Sequence, residues 1–313
     1  MDGPLKVFAC RGHRPFAEAV CSHMGCKPGD MEVIKFANDN LMVRVKENVR
    51  ECDVFVIQTS APPVNEGLME LLITLDAMKH SSARRITAVI PYLPYARSDK
   101  KDQPRISIAA RLVADLLETA GADRILTMDL HSPQVAGFFR IPLDQLQAAP
   151  ILAGYFAGTD LKNTVIVASD AGEAKDIGRY ANRLNLPIAI IDKRRRGNDD
   201  RAYPTNLVGE VSGMHALLTD DEISTGGTVV EAAAFLMERG ALSVRVGATH
   251  GVLAGPAVSR LRESQITEIV VTDTVPIPDE KRFDRLRVLS VAPLFAEAIT
   301  HIHDGRSVSA LFR

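Results

Sequence analysis

The chain has 313 residues, of which 46% are hydrophobic and 24% charged, with a formal net charge of −2 and no tryptophan. This is the composition of about two globular domains. It excludes a bulk basic field for nucleic acid, and an aromatic content of 5% argues against a base-stacking surface. Four cysteines, Cys10, Cys21, Cys26 and Cys52, lie in the first sixth of the chain without a C-x-x-C pair, and read as ordinary reduced thiols. No basic leader with a long apolar core opens the sequence and no apolar run reaches membrane-spanning length, so a cytoplasmic location is expected, with no membrane and no nucleic-acid partner.

In chain order, apolar runs predict strands at Lys6–Ala9, Val54–Gln58, Ile86–Ile90, Arg124–Met128, Thr164–Ala168, Ile188–Asp192, Ala216–Thr219, Ser243–Ala248, Ile269–Thr272 and Val288–Val291. Helical patterns fill many of the gaps. An example is Ile106–Ala120, where Ile108, Leu112, Val113, Leu116 and Leu117 recur on one face. The alternation predicts an α/β fold with mainly parallel sheets flanked by helices, in which ligands sit beyond the C-terminal ends of strands. A polar segment with Ala and Pro at Gln145–Pro150 predicts a boundary between residues 1–147 and 148–303. The tail, 304–313, has no long element and is expected to fold back, with the first half as its place. The two halves align strand on strand and helix on helix, from Cys52 onward against Gly213 onward, as two copies of one unit. In that alignment Thr59 and Ser60 fall on Asp220 and Asp221, so the first copy lacks the carboxylates.

LLTDDEISTGGTVVEAAAFLMERGA, from Leu217 to Ala241, reads as strand, tight loop and helix. Ser224, Thr225, Gly226, Gly227 and Thr228 place hydroxyls and backbone N–H groups at a helix N-terminus, which favours a phosphate. Asp220 and Asp221 repel that phosphate and suit hydroxyls or a metal further along. The ligand so described carries a phosphate at one end and a diol at the other, as a sugar phosphate does. The plainer reading is that Thr225 or Thr228 is an N-cap.

Three more segments draw attention. Ile125–Phe139 is a strand ending in Asp129-Leu130-His131, where His131 is a candidate metal ligand or proton carrier. Val165–Leu184 is a strand, then Asp-Ala-Gly, then a helix, with Asp170 suited to Mg²⁺. Pro91–Arg105 is rich in proline and charge, and its Arg97 is suited to polyphosphate. The most charged stretch, Lys193–Arg201, predicts an exposed loop.

With these segments quoted, the chain resembles the ribose-phosphate pyrophosphokinase (phosphoribosyl pyrophosphate synthetase) family. The resemblance is carried from end to end by FANDN (Phe36–Asn40), NEGLMELLITLDAMK, AVIPYLPYARSDKKD, TMDLHSPQVAGFFRIPLD, SDAGEAKD, DKRRR, TDDEISTGGT, ATHGVLAGPA and the closing RSVSALF. It implies two duplicated phosphoribosyltransferase-type domains. It implies transfer of the pyrophosphoryl group of ATP to the C1 hydroxyl of ribose 5-phosphate, with Mg²⁺ as cofactor. By the same resemblance Asp220 and Asp221 hold the ribose hydroxyls, directly or through Mg²⁺, and Ser224 to Thr228 cradle the 5-phosphate. His131 and Asp170 position Mg²⁺ on the triphosphate. Phe36 and Asn38 flank the adenine, Asn40 and Ser98 border it, and Arg97 grips the phosphates. Lys193 and Arg195 close over the transferring group. A dimer-based hexamer is implied, as is an allosteric site for phosphate or ADP near Ser307, Ser309 and Phe312.

The sequence departs from the family at several of these places. Asn40 stands where Glu is common, Ser98 where Gln is common, Glu173 where Gly is usual and Ser224 where Asp is common. Two alternatives stay beside the main reading: a phosphoribosyltransferase, and a non-catalytic regulatory member of the same family.

Overall fold

The computed structural model describes residues 3–169, 174–195 and 202–312, with the side chains of 174–176, 193–195 and 202–203 left out of the description. The chain divides into two compact units, one of Met1–Gln147, Thr274–Pro276 and Ser290–Arg313, the other of Ala148–Asp273 and Ile277–Leu289.

The first unit carries β1 (Leu5–Ala9), α1 (Arg14–His23), β2 (Met31–Lys35), β3 (Leu41–Val45), β4 (Asp53–Ile57), α2 (Val64–His80), β5 (Arg85–Ile90), α3 (Ala109–Ala120), β6 (Arg124–Met128) and β7 (Leu143–Leu146). Strands β1, β4, β5, β6 and β7 form one parallel sheet in that order. Every residue of β4 is buried, as expected for a strand covered on both faces. β2 and β3 pair antiparallel as a separate hairpin. No residue of this hairpin is fully buried, so it lacks the continuous apolar run that revealed the other strands.

The second unit carries α4 (Ala149–Ala157), β8 (Thr164–Ala168), α5 (Ala174–Leu184), β9 (Ile188–Arg195), β10 (Ala202–Val208), β11 (His215–Glu222), α6 (Gly227–Glu238), β12 (Ser243–His250), α7 (Ala257–Glu263), β13 (Ile266–Thr272) and β14 (Leu286–Leu289). Its sheet runs β10-β9-β8-β11-β12-β13-β14, parallel except for β10. The order β8-β11-β12-β13-β14 repeats β1-β4-β5-β6-β7 strand for strand. In both units two further strands intervene after the first, β2 and β3 in one and β9 and β10 in the other. The fold is therefore a duplicated α/β unit. Each copy has its own apolar core, centred on residues such as Phe8, Val56, Leu75 and Leu117 in the first and Val167, Leu218, Leu236 and Val271 in the second.

Each of the ten expected strands overlaps an observed one, and three expectations are corrected. Lys193 to Arg195 are not loop residues: their backbone continues β9 and pairs with β10. A β-ladder is made by backbone groups, so it extends past the end of the apolar pattern. The helix expected over Ile106–Ala120 begins at Ala109. The last helix, α8 (Ala292–His303), belongs to the first unit rather than to 148–303. There Phe295 meets Phe16 of α1 edge-on at 5.4 Å. At the helix end, His303 Nδ1 lies 2.8 Å from a carboxylate oxygen of Asp53, Arg85 Nε donates to the other at 2.8 Å, and Arg85 Nη2 donates to the Ile302 carbonyl at 3.1 Å. Among the described residues no helix is long and apolar enough to cross a membrane.

Candidate active site

In the second unit β9, β8, β11 and β12 are parallel, so their C-terminal ends share one edge. The chain leaves β8 towards β9 on one side and β11 towards β12 on the other. The crevice between β8 and β11 is therefore a topological switch point, where open α/β sheets bind ligands. The loop after β11, Ile223 to Gly226, opens there. Asp170, just past β8, lies outside the described residues, as do the side chains of Lys193 and Arg195. The backbones of Lys193 and Arg195 end β9 on the same edge.

The loop after β11 is held from behind. The Ile223 carbonyl accepts Leu253 N–H at 3.0 Å, the Ser224 carbonyl accepts Ala254 N–H at 2.8 Å, and the Thr225 carbonyl accepts Arg260 Nη1 at 3.2 Å. In a planar trans peptide the C=O and N–H point in opposite directions. Tethering three successive carbonyls on one side turns the amides of Ser224, Thr225 and Gly226 to the other, which makes an anion-binding concavity. Gly226 has φ 76, a left-handed conformation that glycine adopts without strain, and α6 starts at the next residue. Its N-terminal amides add to the field. Thr225 and Thr228 are exposed and offer hydroxyls. ATHGVLAGPA, quoted above only as a family signature, thus braces the loop. Arg260 was missed in the sequence because it sits on α7, with nothing in its neighbourhood to connect it to residue 225.

Asp220 and Asp221 were expected just beyond a strand ending at Thr219. The strand instead continues through Glu222, with Asp220 opposite Ala248 and Glu222 opposite His250 on β12. The pleat then puts Asp220 and Glu222 on one face and Asp221 on the other. Asp220 Oδ1 accepts Asp221 N–H at 2.9 Å. Both aspartates are half-buried, whereas Glu222 is buried.

In the first unit, the segment with Arg97 and Ser98 leaves β5, and Asp129 to His131 leave the adjacent parallel β6 at the same edge. Arg97 and His131 are exposed. Ser98 has a structural duty: its Oγ accepts Ala109 N–H at 3.3 Å and its carbonyl accepts Ala110 N–H at 3.1 Å, which caps the start of α3. Phe36 to Asn40 form the turn between β2 and β3. Phe36 N–H donates to the Asn40 carbonyl at 2.8 Å, Asp39 N–H to the Phe36 carbonyl at 3.0 Å, and Asn40 N–H to Asn38 Oδ1 at 3.3 Å. Phe36 at the turn is 48% exposed, an open aromatic face suited to stacking.

An ion-pair network not foreseen from sequence anchors this turn to α2. Lys35 Nζ lies 2.8 Å from Glu66 and 3.3 Å from Asp39, while Arg11 bridges Glu66 at 3.0 Å and the buried Glu70 at 2.8 Å. The hydrogen bond to Glu66, then that to Asp39, raises the Lys35 pKa, and the same bond lowers that of Glu66.

The position in the first unit that matches the strand end at Thr219 and Asp220 is closed by internal hydrogen bonds. Thr59, aligned with Asp220, is buried; its Oγ1 donates to the Thr274 carbonyl at 2.6 Å and accepts Tyr92 N–H at 3.2 Å. The Gln58 side chain accepts Gly12 N–H at 2.8 Å and donates to the Gly67 carbonyl at 3.0 Å. Thr59 and Gln58 thus spend their polar groups inside the first copy, whereas Asp220 and Asp221 of the second are half-buried.

Among the described residues no three His, Cys, Asp or Glu side chains cluster as a metal site. The donors on the β11 edge are nonetheless hard carboxylate oxygens, the kind Mg²⁺ takes one or two at a time beside water and substrate phosphates.

Comparison with known proteins agrees with this architecture. Residues 5–121 match the N-terminal domain of ribose phosphate pyrophosphokinase, and residues 196–313 match the phosphoribosyl synthetase-associated domain. Ribose-phosphate pyrophosphokinase of Caldanaerobacter subterraneus is 50% identical over 309 residues, 98% of each chain. That of Deinococcus radiodurans is 50% identical over 315 residues, 99% of this chain and 98% of its own. The crystal structure of phosphoribosylpyrophosphate synthetase from Mycobacterium smegmatis superposes with a TM-score of 0.90 at 44% identity, covering 96% of this chain and 99% of that one. By sequence along nearly its whole length and by fold, the chain belongs to the ribose-phosphate pyrophosphokinase family.

Proposed function

We infer that the chain transfers the pyrophosphoryl group of ATP to the C1 hydroxyl of ribose 5-phosphate, giving phosphoribosyl pyrophosphate and AMP. The observation that carries this reading is the braced loop 223–226 with Asp220 and Asp221 directly before it. Amides 224 to 226, the α6 N-terminus and the hydroxyls of Thr225 and Thr228 take the 5-phosphate, and the aspartates accept from the ribose hydroxyls. The C1 oxygen forms a bond to the β-phosphorus while the bond from that phosphorus to the α-phosphate oxygen breaks, releasing AMP. Lys193 and Arg195 stabilise the charge on the phosphoryl oxygens, and positioning supplies much of the remaining acceleration. Phe36, Asn38, Asn40, Arg97 and Ser98 belong to the nucleotide side, carried by the first unit. His131 and Asp170 would position Mg²⁺ on the triphosphate, and Asp220 and Asp221 would hold the ribose hydroxyls directly or through Mg²⁺; when bound, the ion would supply positive charge against the phosphate oxygens.

The test is incubation with ribose 5-phosphate, Mg²⁺ and ATP, with separation of the nucleotide products. AMP is expected; ADP in its place indicates simple phosphoryl transfer and overturns the reading. A homo-oligomer built from dimers, most simply a hexamer, goes with this reading, because Phe36 and, on α3, Leu112 and Leu116 are exposed apolar side chains. Light scattering on the active protein should give a multiple of the dimer mass; a fully active monomer refutes it.

A further inference from the structure

Helix α1 ends in a backbone motif that sets two thiols side by side. Gly25, at φ 69, donates its N–H to the Ser22 carbonyl at 3.1 Å, and Cys26 N–H reaches back to the Cys21 carbonyl at 3.0 Å. This is a Schellman cap, in which the residue after the glycine packs its side chain on the residue three before the cap. Those two positions are usually apolar; here they are Cys26 and Cys21. The Cys26-to-Cys21 backbone bond therefore places the two thiol-bearing residues next to each other at the helix end. Cys21 is fully buried and Cys26 is exposed. The remaining cysteines are placed otherwise: Cys10 Sγ lies 3.7 Å from Thr74 Oγ1, and Cys52 Sγ lies 3.6 Å from the Arg50 carbonyl.

We propose that Cys21 and Cys26 are a thiol-oxidation site that closes into a reversible intramolecular disulfide on reaction with a low-molecular-weight disulfide of the glutathione type. The backbone hydrogen bond keeps the two residues within the span of roughly 4.4–6.8 Å between Cα atoms that a disulfide bridges. Exposure assigns the order of events. The Cys26 thiolate attacks one sulfur of the small disulfide, forming a mixed disulfide and expelling one thiolate. The Cys21 sulfur then attacks Cys26 Sγ, forming the internal bond, while the second small thiolate leaves and takes the Cys21 proton. Two protein thiols are oxidised and one small disulfide is reduced to two thiols. Burial, with Cys26 adding to it, pushes the Cys21 thiol up to about 12, so Cys21 is the less reactive of the two and the exposed Cys26 is the one that meets the small disulfide first.

The full chain is incubated with oxidised glutathione, quenched in acid, alkylated under denaturing conditions and weighed by mass spectrometry with peptide mapping. The expected result is a bridge joining Cys21 to Cys26 in most molecules, lost on reduction with dithiothreitol. The exposed Cys26→Ser variant should fold normally by circular dichroism and retain an alkylatable Cys21 with no bridge. Cys21→Ser, if it folds, should stop at the mixed disulfide on Cys26. Wild-type protein that keeps all four thiols, that accumulates only the mixed disulfide, or that bridges through Cys10 or Cys52 overturns the proposal.

Discussion

Asn40 ties the β2–β3 turn through its backbone, accepting from Phe36 and donating to Asn38, and leaves its own side chain exposed. Family members commonly carry Glu there, an acceptor that can meet the adenine amino group and meets only another acceptor on guanine. An amide carries both a donor and an acceptor and can turn either towards the base. Ser98, the other departure expected on the nucleotide side, is engaged in capping α3, so Asn40 carries the prediction alone. Replacing Asn40 with Glu should raise the ratio of kcat/KM for ATP over GTP by about 5- to 30-fold, the equivalent of roughly 1–2 kcal/mol for one unpaired neutral group. A ratio that does not move shows that residue 40 does not read the base. Thr225, Thr228 and the two aspartates could be singled out in the sequence as candidates, because phosphate and diol chemistry each demand a short list of residue types.

The loop after β11 works through its neighbours. Leu253 and Ala254 hold two carbonyls with backbone amides, which mutation cannot remove, but Arg260 holds the third with a side chain. Arg260→Ala should free the Thr225 carbonyl and with it the Gly226 amide. We expect the KM for ribose 5-phosphate to rise about 3- to 10-fold, around 1 kcal/mol for an exposed hydrogen bond, with kcat and the KM for ATP within about twofold. Arg260→Lys should recover part of the loss. An unchanged sugar KM would remove Arg260 from the brace while leaving the AMP-release test untouched. The sequence showed the strand, loop and helix but not what holds the loop, since the bracing residues come from the following βα connection. The same limit hid the extension of β9: Lys193 to Arg195 carry no apolar alternation, and their strand character comes from the partner β10.

The chain crosses from the second unit back to the first at Ser290, and α8 is secured there by Phe295 and by Asp53, a carboxylate with no exposed surface. Arg85 grips both oxygens of Asp53, Nε on Oδ1 and Nη2 on Oδ2, and His303 Nδ1 shares Oδ2. Asp53 is buried, but Arg85 and His303 are each about a quarter exposed, so the charge left behind is reached by water in part. Asp53→Ala should therefore lower stability to urea by about 1.5–3 kcal/mol, the scale of hydrogen bonds to a charged group, and loosen α8. Arg14→Ala, which breaks the exposed pair with Glu18, should change stability by no more than about 0.5 kcal/mol. A loss below about 1 kcal/mol for Asp53→Ala would show that the clasp is not what secures the helix.

While the duplication suggested by aligning the halves became definite only with the repeated strand order, periodicity and residue chemistry alone determined the α/β class, the mainly parallel sheets and the loop at which a phosphate is expected. These are local properties: a strand buried on both faces needs an unbroken apolar run, and an anion needs amides and hydroxyls at a helix start. Tertiary structure alone decided which unit takes α8, that the acids end a strand rather than follow it, that Thr59 and Gln58 of the first copy are engaged in internal hydrogen bonds, and that Arg260 reaches the carbonyl of residue 225. Each of these depends on a partner distant in the chain, and an amphipathic pattern states that a face is covered without stating what covers it.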